Sequence, residues 1–228
     1  MTGRDSIKTS ELLDLSRSIA GEQLKKYEYP YEALSHIKEI IIELQKNLGA
    51  DFTEVSEGVF VHKTAKIAPT AFIGAPTIIC AGAEIRHCAF IRGSALVGEG
   101  AVVGNSVELK NAIIFDSVQV PHFNYVGDSI LGYKSHMGAG SVTSNVKSDK
   151  TNVAVRCGGE KIETGLRKFG AILGDFVEVG CNSTLNPGTI IGRHSNVYPN
   201  SSVRGVIPAE HIYKNKENIV MKNKGENN

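Results

Sequence analysis

The chain has 228 residues, of which 41% are apolar, and its 25 Lys and Arg against 24 Asp and Glu leave a formal net charge of +1. This balance indicates a folded globular protein and gives no basis for expecting nucleic acid or membrane partners. The N-terminus shows no apolar signal region and no run of about 20 apolar residues occurs, so we expect a cytosolic protein.

Residues 1–58 are predicted to form an N-terminal helical segment. Apolar residues follow Ser10 at helical spacing, and a second amphipathic pattern runs from Pro30, which favours a helix start, to Gly49, which favours a helix end. We expect this segment to pack against the start of the next domain and cover its exposed strand edges. A helix that recruits another protein is the alternative.

Residues 59–207 contain a six-residue repeat of inward-facing aliphatic side chains. It begins with nine positions in register: Val61, Ile67, Ile73, Ile79, Ile85, Ile91, Val97, Val103 and Leu109. The spacing resumes with a shifted phase from Ile114 and again from Leu173. A period of six predicts a mainly β fold, a parallel β-helix, in which three hexapeptides of about 18 residues form one coil and stacked coils share a core.

The repeat stops between residues 145 and 170, which predicts one long excursion loop leaving the coil. A loop of this length in a compact domain is usually functional. After the coil, residues 208–228 form a C-terminal tail, for which we predict a short helix around Glu210 to Lys216 followed by a frayed end.

The coil period places two cations next to each other. Arg92 and Lys110 are 18 residues apart, so they occupy the same position in successive coils. Strands in a sheet lie about 4.8 Å apart, and like charges at that spacing repel. Glu108, two residues before Lys110, could neutralise the pair. The interpretation that we prefer is a phosphate held by both cations.

The histidines and cysteines do not predict a metal site. His87 and His122 are two coils apart, roughly 9 to 10 Å, which is too far for one metal within a subunit. A metal shared across a subunit interface stays open. The four cysteines show no CxxC spacing, so reduced packing thiols are favoured over disulfides or metal ligands.

Three runs of residues resemble a known family. They are Val107-Glu108-Leu109-Lys110-Asn111, then Pro121-His122-Phe123-Asn124-Tyr125-Val126-Gly127-Asp128, then Gly138-Ala139-Gly140-Ser141-Val142-Thr143-Ser144-Asn145. Over about residues 85–205 the chain resembles the acetyltransferase domain of the bacterial bifunctional glucosamine-1-phosphate acetyltransferase/N-acetylglucosamine-1-phosphate uridyltransferase, a left-handed hexapeptide-repeat protein. The left-handed winding and a homotrimer with sites between subunits are implied by this resemblance.

The resemblance also implies a reaction and roles for individual residues. Acetyl would pass from acetyl-CoA, the acyl donor, to the amine of glucosamine 1-phosphate or a similar sugar phosphate, in the biosynthesis of UDP-N-acetylglucosamine. His122 would be the general base. The remaining residues fall into two sets: sugar-phosphate contacts (Arg92, Lys110, Tyr125, His136, Asn145 and Lys168) and donor contacts (Gly138, Ala139, Gly140, Cys181 and Pro199). We expect Arg193, Arg204 or Lys216 to meet the donor phosphates.

Some positions depart from the family pattern and keep other functions open. His136, Val146 and Cys181 replace an Asn, a Tyr and a Ser of the family. A non-catalytic coil that binds a sugar nucleotide or a partner enzyme, or an acyltransferase for another acceptor, are the alternatives. Residues 1–58 contain no L-x-G-G-x-G-T-R-M run, so we do not expect uridyltransferase activity of this chain.

Overall fold

Strands of two to seven residues repeat along three faces of a coil in the computed structural model, which describes residues 3–222. Within the coil, strands pair in parallel with the strand one coil later, as Ile79 pairs with Val97 and Ile85 with Val103. The aliphatic residues of the repeat point inward; Ile67 and Ile73 in the first coil are partly buried, and from Ile79 to Val203 the repeat positions are buried. The predicted mainly β fold, a parallel β-helix with an N-terminal helical segment, is therefore confirmed.

The strands of the coil are divided among three faces. The first face holds Val59–His62, Thr77–Ile79, Ala95–Val97, Ala171–Leu173, Thr189–Ile191 and Val206–Ile207. The second face holds Lys66–Ile67, Glu84–Ile85, Val102–Asn105, Gln119–His122, His136–Met137, Glu178–Val179, Asn196–Val197 and His211–Asn215. The third face holds Phe72–Ile73, Phe90–Ile91, Val142–Thr143, Thr184–Leu185 and Ser202–Val203. Glu108–Ile114 and Tyr125–Leu131 begin on the third face and continue around the corner into the first.

The first face is buried on both sides. Residues next to the inward positions point outward, yet Ile78, Leu96, Ile113, Ile130, Ile172 and Ile190 are fully buried. The N-terminal segment covers the strands that carry Ile78, Leu96, Ile113 and Ile130. It contains α-helices Thr9–Leu12, Gly21–Leu24 and Ile37–Gln45 and 3₁₀ helices Arg4–Ile7, Leu15–Arg17 and Pro30–His36. Helix Ile37–Gln45 packs on the early coils, whereas Leu12 accepts a 3.0 Å hydrogen bond from the backbone N–H of Asp175 in a late coil.

The structure corrects the expected extent and position of this segment. It lies lengthwise along the first face instead of only covering the coil end, because a row of outward aliphatic residues needs to be removed from water. Its helical part is also shorter than 1–58, since Phe52–Ser56 is a strand that pairs antiparallel with Val59–His62. This strand satisfies the exposed edge of the first coil.

The tail also differs from the prediction. His211–Asn215 and Asn218–Met221 form an antiparallel hairpin on the strand Asn196–Val197, and no helix forms around Glu210 to Lys216. An isolated helix of this length is marginal, whereas the open strand edge of the last coil offers hydrogen-bond partners. The expected frayed end, residues 223–228, lies outside the described residues.

The excursion forms a closed loop with its own hairpin. It leaves the coil after Asn145 and returns at Phe169, whose N–H donates to the Asn145 carbonyl at 3.0 Å. Between them, Ala154–Cys157 and Glu160–Glu163 pair antiparallel. The predicted single long excursion is confirmed, and its two ends lie together at the corner between the third and first faces.

In residues 3–222 no helix is long and apolar enough to cross a bilayer.

Candidate active site

The predicted sugar-phosphate residues, apart from His136, meet around the corner between the third and first faces. We call Arg92, Lys110, Tyr125, Asn145 and Lys168 the basic cluster. The N–H of Arg92 donates to the carbonyl of Leu109 at 2.9 Å, so Arg92 and Lys110 occupy neighbouring positions in successive coils, as the 18-residue spacing predicts.

Only one of the two stacked cations is neutralised. Nη1 of Arg92 lies 2.8 Å from Oε1 of Glu108, which is the pairing that the sequence left open. Among residues 3–222, no carboxylate lies within 4.0 Å of the Lys110 amine. Burial lowers the pKa of Lys110, and the nearby Lys168 and Arg92 lower it further, although Asp128 opposes them. An anion bound here would relieve this repulsion.

Lys168 lies beside Lys110 of the same chain. The resemblance implies instead that this lysine reaches the acceptor of a neighbouring subunit. In this structure Lys168 reaches the basic cluster of its own chain. It does so because the next residue, Phe169, is fully buried and its N–H donates to the Asn145 carbonyl.

The hydroxyl of Tyr125 is held over the backbone of the adjacent glycine. A Cβ at Gly127 would clash with that hydroxyl, so a larger residue there would displace the ring from its present position. Nδ2 of Asn145 donates to the Tyr125 hydroxyl at 3.1 Å. Burial raises the pKa of Tyr125, with a smaller contribution from Asp128, so the hydroxyl stays protonated at neutral pH.

Three side chains connect this corner from coil to coil. Asn111, Asp128 and Asn145 are spaced 17 residues apart and occupy successive coils. Nδ2 of Asn111 donates to Oδ1 of Asp128 at 3.0 Å, and Nδ2 of Asn145 donates to Oδ2 of the same carboxylate. Asn111 and Asp128 were missed in the sequence. Their 17-residue spacing could have revealed them, because a coil that is one residue shorter than usual places residues 17 apart at the same position.

His122 and the predicted donor residues share another corner, between the second and third faces. The N–H of Gly140 donates to the His122 carbonyl, that of Asn182 to Ala139, and that of Asn200 to Cys181, at 3.0, 2.8 and 2.8 Å. His122, Ala139, Cys181 and Pro199 are therefore stacked in successive coils, and we call them the corner column.

The imidazole of His122 is exposed and accessible to a ligand. Among residues 3–222, no hydrogen bond engages its ring nitrogens. Asn124 fixes the turn beneath it: Oδ1 accepts from the His122 N–H at 3.1 Å, and Nδ2 donates to the carbonyls of Gly138 and Ser141. Tyr125 follows three residues after His122, so the corner column and the basic cluster lie on either side of one strand.

The Gly138-Ala139-Gly140 turn presents one free donor. The N–H groups of Gly138 and Gly140 donate to Val179 and His122 within the coil. In the described chain the N–H of Ala139 has no such acceptor. It is therefore the group in this turn that could stabilise an oxyanion.

His136 and His87 lie outside both groups within this chain. His136 is on the second face, where Nδ1 lies 2.8 Å from Oε2 of Glu178. The resemblance placed it at the acceptor, but within one chain it is not part of the basic cluster. His87 pairs through Nδ1 with the hydroxyl of Thr70 at 2.7 Å. Residues 3–222 contain no group of three or more potential ligands for a metal ion.

A cavity of about 650 Å³ near the last coils is lined by three basic side chains. Arg204 and Lys216, both candidates for the donor phosphates, line it together with Arg156 from the excursion. The third candidate, Arg193, instead pairs with the buried Asp175 at 2.9 Å. Sequence reasoning missed Arg156, because a hairpin inside the excursion gave no periodic signal.

The chain matches the family model described as "GMPPB C-terminal domain" over residues 75–223. The "Bifunctional protein GlmU" of Methanococcus aeolicus is 34% identical over 194 residues, covering 85% of this chain and 47% of that protein. The "Bifunctional sugar-1-phosphate nucleotidylyltransferase/acetyltransferase" of Sulfurisphaera tokodaii is 34% identical over 160 residues, covering 69% of this chain and 40% of that protein. The chain thus spans about half or less of the length of these relatives.

Solved structures with a similar trace are more distant. A mutant of AntD, an N-acyltransferase from Bacillus cereus, in complex with dTDP and coenzyme A is 17% identical with a TM-score of 0.39, covering 76% of this chain and 92% of that chain. The acetyltransferase domain of PglB from Neisseria gonorrhoeae in complex with acetyl coenzyme A is 12% identical with a TM-score of 0.29, covering 83% and 67%. Likeness at this level assigns no role to any residue.

Proposed function

We propose that this chain, which belongs to the family of the GMPPB C-terminal domain, transfers acetyl from acetyl-CoA to the amine of an amino-sugar 1-phosphate such as glucosamine 1-phosphate. One observation carries the proposal: Lys110 and Lys168, which form no ion pair within 4.0 Å in residues 3–222, lie with Tyr125 and Asn145 one strand away from the corner column. The Sulfurisphaera tokodaii relative is named as both a sugar-1-phosphate nucleotidylyltransferase and an acetyltransferase, which supports the same chemistry.

The basic cluster would bind the sugar phosphate. Two lysines supply charge-assisted hydrogen bonds, and Arg92 can turn part of its planar guanidinium from Glu108 to the anion. The Tyr125 hydroxyl already accepts from Asn145, so its own proton is free to donate to a phosphate oxygen. An unphosphorylated amino sugar would lose all of these contacts.

His122 would act as the general base. The free amine attacks the carbonyl carbon of the thioester, the imidazole takes the proton that the nitrogen loses, and collapse of the tetrahedral intermediate breaks the C–S bond and releases coenzyme A. Histidine is the side chain that most often carries out this kind of proton transfer. The Ala139 N–H would stabilise the oxyanion on the former carbonyl oxygen. The reaction needs no covalent enzyme intermediate.

The donor would lie along the corner column. Cys181 and Pro199 follow Ala139 coil by coil and would contact the acyl arm, whereas Arg204, Lys216 and Arg156 at the far cavity would bind its phosphates. A homotrimer would place a second subunit against this exposed corner. Both the trimer and a cytosolic location remain predictions.

The requirement for a phosphate on the acceptor tests this assignment. Thiol release from acetyl-CoA would be followed with glucosamine 1-phosphate, galactosamine 1-phosphate and glucosamine. We expect turnover with at least one 1-phosphate and little with glucosamine at the same concentration. Equal turnover with glucosamine would indicate another acceptor class, and no turnover with any sugar would favour a binding or regulatory coil.

A further inference from the structure

The N-terminal segment covers the first face and also contacts Asn111 and Phe169, two residues that adjoin the basic cluster. Two of its residues are involved, Tyr31 and Leu34, both in the 3₁₀ helix Pro30–His36. Both residues are buried. Nothing in the hexapeptide pattern links this helix to a site on the coil.

An unbroken chain of hydrogen bonds runs from this helix to the tyrosine of the basic cluster. Nδ2 of Asn111 donates to the Leu34 carbonyl at 2.9 Å and to Asp128 at 3.0 Å. The second carboxylate oxygen of Asp128 accepts from Asn145, which also donates to the Tyr125 hydroxyl at 3.1 Å. Asp128 is only 6% exposed, so these donors replace hydrogen bonds to water that its side chain lacks in the fold.

The direction of this chain of hydrogen bonds is fixed by its two acceptors, the Leu34 carbonyl and the Asp128 carboxylate. A backbone carbonyl can only accept, so the Asn111 side chain must present its amide nitrogen to Leu34. Asp128 accepts from both asparagines. The amide of Asn145 then faces the Tyr125 hydroxyl as a donor, which leaves the hydroxyl proton free to donate elsewhere. The Leu34 carbonyl therefore helps to hold Asn111 against Asp128, and the Asp128 carboxylate orients the Asn145 amide toward Tyr125.

A second contact fixes the lysine of the excursion. The ring of Phe169 stacks on that of Tyr31, with centroids 5.8 Å apart and an interplanar angle of 28°. Phe169 is fully buried, and its N–H is bound to the Asn145 carbonyl. Lys168 is the preceding residue. Its distance from Lys110 thus depends on a ring supplied by the N-terminal segment.

We propose that Tyr31, Leu34 and Asn111 are positioning residues of the sugar-phosphate site, so that the N-terminal segment completes this site through Phe169 and the Asn111–Asp128–Asn145 chain. The inference rests on the proposed function for the identity of the ligand. The order imposed on Lys168 by Tyr31 is independent of that identity.

Three variants and one control separate this role from general stabilisation. Asn111→Gly removes the amide at a residue whose φ is 49°, which glycine adopts without strain. Tyr31→Leu removes the stacked ring but keeps an apolar side chain, and Tyr31→Phe keeps the ring. The control is Gln45→Ala, because Gln45 ties the same segment to the Gly58 carbonyl at 2.9 Å, in the first coil.

The first readout is the KM for each substrate. We expect Asn111→Gly and Tyr31→Leu to raise the KM for glucosamine 1-phosphate about tenfold, as for the loss of a hydrogen bond to a charged group, with the KM for acetyl-CoA changed less than about twofold. Gln45→Ala should leave both constants near those of the wild type. Either of two results would overturn the proposal. One is a KM for glucosamine 1-phosphate that is no higher in Asn111→Gly and Tyr31→Leu than in Gln45→Ala. The other is an equal shift in the KM for glucosamine 1-phosphate and the KM for acetyl-CoA.

The second readout requires no turnover. Trypsin cleavage after Arg167 and Lys168, followed by mass spectrometry, should be several-fold faster in Tyr31→Leu and unchanged in Tyr31→Phe. If the wild type acetylates no sugar phosphate, the proposed function fails while this comparison still decides whether Tyr31 orders Lys168. Equal cleavage rates in Tyr31→Leu and the wild type would then refute the inference.

Discussion

Lys110 is partly buried beside two other cations, an environment that a bound anion would stabilise. Folding lowers its pKa, chiefly through burial, so the unfolded chain holds that proton more tightly than the native chain does. The free energy of unfolding therefore rises with pH between the folded pKa and the ordinary value of about 10.4. Below that window the charged lysine lowers the stability of the free protein.

Replacing Lys110 should separate stability from binding. Lys110→Met removes the charge but keeps the length, so we expect the melting temperature at neutral pH to rise or stay constant. The KM for the sugar phosphate should rise at least about tenfold, because a charge-assisted hydrogen bond is lost. Lys66→Met on the second face is the matched control. An unchanged acceptor KM in Lys110→Met would contradict the phosphate role.

The four cysteines should differ in reactivity according to their burial. Cys80 is buried, and burial with nearby Asp116 and Glu99 raises its pKa to about 12, so its thiol stays protonated and unreactive at neutral pH. Burial also raises the pKa of Cys157. Cys88 and Cys181 are exposed and should be alkylated first.

Acetyl-CoA should protect one of the two exposed thiols. Cys181 belongs to the corner column, whereas Cys88 is outside it, so bound donor should slow alkylation of Cys181 alone. Peptide mapping after brief treatment with iodoacetamide, with and without acetyl-CoA, measures this directly. Equal protection of Cys88, or none of Cys181, would place the donor elsewhere.

At the scale of elements, helix Ile37–Gln45 shows what the N-terminal segment contributes to stability. Ile37 is fully buried against the first face, whereas Ile42 on the same helix is 41% exposed. Ile37→Ala should therefore lower the free energy of unfolding by about 2 to 5 kcal/mol, and Ile42→Ala by about 0.5 kcal/mol or less. Chemical denaturation of the pair checks this. Similar losses in both would mean that the helix does not cover the coil.

The helical segment and the tail were predicted less well than the coil, for a physical reason. The six-residue repeat indicates only which side chains point inward, and these were predicted correctly from Val61 onward. The covered face had its own signal, since Ile78, Leu96 and Ile113 add an apolar residue just before each inward one. The strands Phe52–Ser56 and His211–Asn215 form because a coil end offers unpaired backbone groups, which a single-sequence pattern does not display.

Parts of the site followed from the repeat and parts did not. Counting 18 residues predicted that Arg92 and Lys110 are neighbours, and the structure confirms it. The count could not show that Glu108 would pair with Arg92 alone, or that Asp128 would join two asparagines, because both depend on side-chain reach around a corner. It also could not place Lys168, which returns to the coil after an excursion without a period.

At the scale of the whole molecule, the exposed corner column should be covered by another subunit. The resemblance described under Sequence analysis implies a homotrimer, so we expect sedimentation velocity to show a trimer. A stable monomer that is fully active would contradict this part of the account. The basic cluster would survive that result, since Lys168 lies beside Lys110 in the same chain.

The central claim is transfer of acetyl from acetyl-CoA to an amino-sugar 1-phosphate with His122 as the base. The most direct measurement is mass spectrometry of the product formed from glucosamine 1-phosphate or galactosamine 1-phosphate, beside released thiol, for the wild type and His122→Ala. We predict an N-acetylated sugar phosphate in equal amount to the thiol, and a kcat about 10²- to 10⁴-fold lower in the variant at a similar acceptor KM. No acetylated sugar from the wild-type protein, or undiminished turnover in His122→Ala, would contradict the account.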